Sequence, residues 1–276
     1  MELDSLTAAE PQSIGQVLAR STILPSKSAQ DSDPVADRWK IEEQKREQAG
    51  KERRRNNVWK ALVDARGPRY AKATLANYVA DTTEQQAARA AVAEYVKDIK
   101  SRLEAGQNVL FIGPAGTGKD HLMMPLCRAA IGEFKTLIWA NGTSIWLAFR
   151  DAIANDNKKT HGRVRLYDDF EQFDDGLHGS ESQIIDRLSD VDVLAISDPL
   201  PPGASLTDYQ SSIMLQIIDW RYNHLRPTFM TINVANRKEA EQRMGGPTVD
   251  RLCHDALTIV CDWPSYRQRK DQSNAS

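Results

Sequence analysis

Residues 108–121 read NVLFIGPAGTGKDH, an apolar run that stops at a glycine-rich turn and resumes as the charged opening of a helix. Gly113, Gly118 and Lys119 satisfy the spacing G-x-x-x-x-G-K. The pattern alone is weak, because glycine and lysine are common residues; its context gives it weight. A buried strand is expected over 108–112 and an amphipathic helix over 119–131. A strand, turn and helix in that order aim consecutive backbone N–H groups and a helix N-terminus at a phosphate. Gly113, Pro114, Ala115, Gly116, Thr117, Gly118, Lys119, Asp120 and His121 are therefore the expected cradle for ATP. The glycines leave room for the ligand, and the Lys119 ammonium is placed to meet its terminal phosphates.

Position 120 breaks the pattern. A Ser or Thr hydroxyl usually follows the lysine and binds Mg²⁺, whereas Asp120 brings a negative charge toward the triphosphate. Magnesium can reverse that repulsion, since a hard cation prefers carboxylate oxygen, and the helix dipole favours an acid in the first turn. A second departure mirrors the first. After the apolar run VLAI come Ser197 and Asp198, where phosphate-loop motors commonly carry two acids, one holding the metal through water and one polarising the attacking water. Two readings stay open. The hydroxyl and the carboxylate around Mg²⁺ have exchanged ends, with Asp120, Ser197 and Asp198 as the metal-side residues; or the site has decayed, Asp198 being a methylene shorter than the usual glutamate, and an ångström of misplacement costs about a hundredfold.

Outward from this loop the chain alternates. Apolar runs at 136–140, 192–196, 227–232 and 257–262 join 108–112 as five expected strands, and helices are expected over 83–103, 119–131, 144–154 and 208–225. Short apolar runs separated by helices predict an α/β fold: a phosphate-loop, three-layer α/β/α sandwich with a five-stranded parallel sheet. Ahead of it lie a low-apolar leader over 1–36, expected to be poorly ordered, and a basic arm over 37–66; the ATPase domain is expected over 67–276. Residues 38–60 hold nine Lys or Arg against four Glu, the pattern of a solvated helix or of an arm for DNA or a partner protein. Residues 156–180 interrupt the rhythm with a run first basic and then acidic.

Composition narrows the class further. The chain has 276 residues, 41% hydrophobic and 27% charged, with a formal charge of −2, so attraction to nucleic acid must come from local patches. No run approaches the length of a membrane helix and the first ten residues do not resemble a signal peptide, so a cytoplasmic protein away from membranes is expected. Cys127, Cys253 and Cys261 are too far apart for a zinc or redox motif and read as buried thiols.

The segments GPAGTGKDHL, DVDVLAISD, IIDWRYNHLRPT, the TIN of the fourth strand and VDRLCHDALTIVCDWPSYR occur in the order found in the DnaC/IstB family of AAA+ ATPases, the helicase loaders and transposition helper proteins, which the chain resembles from about residue 68 to 269. The resemblance implies an AAA+ fold without a C-terminal lid domain. It implies a polar sensor at Asn233, an arginine finger at Arg251 reaching into a neighbouring copy, and thus a homo-oligomeric ring or spiral. Arg221 is a further interface candidate, and Tyr78 falls where the family places residues beside adenine. Lys119, Asp198, Asn233 and Arg251 are the catalytic set the resemblance implies.

Family members engage DNA inside the oligomer. Here Trp146 and Arg150, and the basic run Lys158, Lys159, Arg163 and Arg165, are candidates: cations for phosphates and an aromatic for stacking a base. Core packing for Trp146 and a solvated loop for the basic run are the plain alternatives. The leading expectation is an ATPase that loads a replicative hexameric helicase onto single-stranded DNA. A transposition helper that presents ATP-bound filaments to a transposase, and a nucleotide-gated adaptor with little hydrolysis, are the rivals.

Overall fold

Five short runs of aliphatic and aromatic residues form one parallel sheet: β1 (Val109–Ile112), β2 (Leu137–Asn141), β3 (Val193–Ser197), β4 (Thr228–Ile232) and β5 (Leu257–Val260). Their order across the sheet is β2-β3-β4-β1-β5. The computed structural model describes residues 34–156 and 177–267, and by its contacts the chain divides into two compact units, 1–49 and 50–276. Lys158, Lys159, Arg163 and Arg165 lie outside the described residues.

Alternation along the strands explains the layers. Val109, Phe111, Trp139, Val193, Ala195 and Phe229 join one buried cluster, while Leu110, Ile112, Ile138, Ala140, Leu194, Ile196, Met230 and Ile232 join another. Successive side chains on a strand point to opposite faces, so both faces of the sheet are apolar and both need cover. One face is covered by α1 (Pro34–Arg66) from Val58 to Val63, with α3 (Thr83–Lys97), α4 (Ile99–Glu104) and α5 (Lys119–Gly132). The other is covered by α6 (Gly142–Asp156), α7 (Glu181–Asp190), α8 (Asp208–Asn223), α9 (Arg237–Met244) and α10 (Gly246–Cys253). A single turn, α2 (Pro68–Ala71), follows α1.

The three-layer sandwich and its five strands agree with the sequence reading. The expected helix over 83–103 is two helices, α3 and α4, broken at Asp98, whose backbone leaves the helical region (φ −105°, ψ 23°). Three further helices, α7, α9 and α10, and the single turn α2 had not been anticipated. A signal for α7 was present: Ser180 and Gln183 form a reciprocal capping box, as do Thr82 with Gln85 for α3 and Thr207 with Gln210 for α8. Cys127 and Cys261 are buried thiols, and Cys253 is half-buried. Among the described residues no helix is long and apolar enough to cross a membrane.

The register places the site. Ile112 pairs with Ile232, and Ser197 with Thr231, so β1, β4 and β3 end at one level. Because β4 lies between β1 and β3, Asn233 emerges between the glycine-rich loop and Asp198.

Candidate nucleotide and metal site

Gly113, Gly116 and Gly118 all take positive φ (148°, 86° and 85°), and Gly118 caps the start of α5. The sequence reading assigned the glycines to ligand clearance. Packing inside the protein requires them as well: a Cβ on Gly113 would stand 2.3 Å from the Cys261 carbonyl oxygen, and one on Gly116 2.0 Å from Ser265 Oγ. The segment after β5 is fastened to the loop, with Trp263 Nε1 donating to Thr117 O at 2.9 Å and the Tyr266 amide to Gly116 O at 2.9 Å.

Lys119 folds back onto its own loop. Its Nζ donates to Gly113 O (2.8 Å), Pro114 O (2.7 Å) and Asn233 Oδ1 (2.7 Å), and the residue is only 5% exposed. Burial pushes its pKa down, while the Asp198, Cys261 and Asp120 charges oppose the shift. An almost enclosed ammonium whose direct partners are all neutral oxygens is suited to receive an anion, since charge-assisted bonds to phosphate are about twice as strong as neutral ones. The residues present therefore fit a polyphosphate.

Asp198 leaves β3 in the left-handed region (φ 49°) just before Pro199, which Asp tolerates better than most residues. Its carbonyl oxygen lies 2.3 Å from where a Cβ on Gly142 would stand, so the first residue of α6 must be glycine for Asp198 to sit here. Surrounding protein and then the Asp120 charge raise the pKa of its carboxyl, opposed by Lys119 and by a hydrogen bond from Asn233. Asp198 remains exposed to solvent. Lys119, Asn233 and Asp198 thus form one connected polar cluster, assembled from the start of α5 and the ends of β4 and β3.

Asp120 is held by three hydroxyls. Ser197 Oγ (3.1 Å) and Thr231 Oγ1 (3.0 Å) donate to Oδ1, and Tyr70 Oη (3.1 Å) donates to Oδ2. Burial, then the Asp120 charge, push the Tyr70 phenol pKa up, so it stays a donor at neutral pH. Among the described residues no group of three or more His, Cys, Asp and Glu stands ready for a cation. Asp120, Ser197 and Asp198 nevertheless supply the oxygen chemistry Mg²⁺ takes, typically one or two carboxylates together with substrate phosphates and water, although both acceptor positions of Ser197 Oγ are filled, by Arg66 Nη2 and Trp139 Nε1.

The remaining expected residues fall in several places. His121 Nε2 reaches Thr74 O (2.9 Å) and Asn77 Oδ1 (3.0 Å), both acceptors, so it carries the proton there and ties α5 to the 74–78 loop. Tyr78 is buried, its ring edge-on to His121 and Tyr266 beside Gly118. Arg251 lies on α10, paired with Asp219 of α8 (Nε to Oδ1, 2.5 Å). Trp146 is half-buried, donates to Pro199 O (2.9 Å) and lines a groove of about 520 Å³; Arg150, exposed, lines the same groove.

Arg221 corrects an expectation. Rather than an interface cation it is 1% exposed, donating to Leu188 O, Ser189 O, Val191 O, Asp192 O, Pro227 O and Thr228 Oγ1. It locks the turn before β3 to the start of β4. Sequence reasoning also missed Arg66, Tyr70, Trp139 and Thr231, which surround Asp120 and Ser197.

No protein-family model matches the chain. Over 203 residues, 73% of this chain and 72% of the relative, it is 26% identical to the replicative helicase loader DnaC of Escherichia coli (strain K12), and the same figures hold for DnaC of Shigella flexneri. The chain resembles the DnaC-type AAA+ ATPases. The crystal structure of the DnaC helicase loader superposes with a TM-score of 0.54 at 22% identity, covering 70% of this chain and 99% of that one. A crystal structure of a DNA replication initiation factor gives a TM-score of 0.50 at 15% identity, covering 74% and 54%. The three-layer fold is accordingly one shared with these structures.

Proposed function

We propose that this chain is an ATP-dependent loader of a replicative hexameric DNA helicase, acting in the cytoplasm as a ring or spiral on single-stranded DNA. The observation that carries the reading is the likeness to DnaC along 203 residues. The polar cluster at the strand ends supports the nucleotide part of it. Bound Mg²⁺-ATP supplies the transferable phosphoryl group and the charge that neutralises it. Lys119 exchanges its loop carbonyls for phosphate oxygens, and Asn233 orients a water. Asp198, its carboxyl pKa already raised, accepts that water's proton; a base tuned toward the working pH is the more effective one. Asp120 and Ser197 hold the metal side, and Arg251 of a second copy reaches the developing charge once it leaves Asp219.

Two mixtures test this. With ATP, the chain and the hexameric helicase of its own host are expected to migrate as one complex and to retain a single-stranded oligonucleotide. Phosphate release is expected to exceed background in the native chain and to fall to background in Lys119→Ala. Failure to bind the helicase, with preference for duplex DNA, would overturn the loader reading in favour of a transposition helper.

A further inference from the structure

The end of helix α1 reaches the metal side of the site. Arg66, its last residue, donates from Nη2 to Ser197 Oγ at 2.8 Å, and its guanidinium carbon lies 4.3 Å from the Trp139 ring centre. Trp139 Nε1 donates to the same Ser197 oxygen at 2.7 Å, and Ser197 donates onward to Asp120. A hydroxyl has one proton and two acceptor positions. All three are in use, so Ser197 has no lone pair for a cation, or for a water on a cation, until one donor leaves.

Which donor leaves follows from their surroundings. Trp139 is 3% exposed in the sheet, and stripping its N–H of a partner would strand a buried donor. Arg66 is half-exposed at a helix end, followed by Gly67 at φ 93° and Pro68, and its Nε is buried without a partner. Moving it into water would satisfy that nitrogen. A guanidinium and Mg²⁺ at one hydroxyl would also repel each other. Tyr70, four residues on, makes the matching tie to Asp120 Oδ2.

Resting on the ATP reading above, we infer that Arg66 occupies the metal's place at Ser197 and competes with Mg²⁺, so that Mg²⁺-ATP expels Arg66 from the Trp139 face and loosens the end of helix α1. Arg66 is a positioning residue that couples the nucleotide site to the basic helix.

The test uses the full chain and a fluorescent ATP analogue, titrated with Mg²⁺ and with EDTA, in the native protein, Arg66→Ala and Arg66→Met. The methionine retains the packing on Trp139 without donating to Ser197. Both variants are expected to bind the analogue as the native chain does in EDTA and roughly tenfold more tightly in Mg²⁺, the scale of one charge-assisted hydrogen bond. In the native chain, Mg²⁺-ATP is expected to speed tryptic cleavage of the Arg66–Gly67 bond, read by fragment mass, and ATP in EDTA is not. Normal binding with an unchanged or weaker Mg²⁺ increment in both variants, or cleavage indifferent to the metal, would overturn the inference alone. No binding of the analogue by the native chain in either condition would overturn the ATP reading, and this inference with it.

Discussion

Ser197 and Asp120 come from different elements, 77 residues apart in the chain, and meet through a single 3.1 Å hydrogen bond. The two departures from the usual phosphate-loop pattern are therefore neighbours in space. An exchange of hydroxyl and carboxylate between the two ends of the metal site requires that adjacency. Asp120→Ala is expected to abolish most of the Mg²⁺-dependent gain in ATP affinity, about tenfold or more, on the scale of lost charge-assisted contacts. Nucleotide titrations with and without Mg²⁺ check it, and unchanged metal dependence would remove the exchange.

Asp198→Asn keeps the shape and removes the base. Phosphate release should fall by at least about a hundredfold, the lower range for a general base. Stability should move the other way. A carboxyl whose folded pKa is raised contributes stability below its unfolded value of 3.8, and loses it as pH rises through the folded value. Above that window the native chain holds an unfavourable charge that the asparagine lacks. Melting temperature should rise slightly in the variant at pH 7 and show no gain at pH 3.5 (about the ordinary carboxylate value).

Asp219 restrains Arg251. The pair is partly exposed, so breaking it should cost no more than about 1 kcal/mol, or about fivefold. Asp219→Asn is expected to shift ATP-driven assembly to lower protein concentration by up to that factor in sedimentation, if Arg251 serves a neighbouring copy. Arg251→Ala should abolish the assembly in either background.

Arg221→Met should be severe and unrelated to assembly. It leaves five backbone carbonyl oxygens and the Thr228 hydroxyl without their shared donor in the interior. Removing one side of a buried charged network typically costs roughly 3–5 kcal/mol. Denaturant melts should show the loss with or without nucleotide.

The layers of the fold were legible because each strand is a short apolar run between helical segments, and the loop because glycines precede a helix start. Other features hid for physical reasons. Arg221 falls on the same helical stripe as Ile213, Met214, Ile217 and Ile218, so its spacing did indicate burial, but a charge on a helix reads as solvated unless its acceptors are known. Those acceptors are the carbonyls of Leu188 and Ser189 at the end of α7 and of Val191, Asp192 and Pro227 beside the strands, which no periodicity encodes. Arg66 meets Ser197 across 131 residues, through the seating of the end of α1 on the Trp139 ring beside β3, which no local pattern encodes. The break at Asp98 left no proline or glycine in the sequence to mark it.

The central claim is that the loop from Gly113 to His121 grips ATP through Lys119. Equilibrium dialysis of radiolabelled ATP with Mg²⁺, against the native chain and Lys119→Ala, tests it most directly. Saturable binding by the native chain and a loss of about a hundredfold in the variant are expected, the scale of a charged hydrogen bond left unmade. Equal retention by both chains, or none by the native one, would contradict the account.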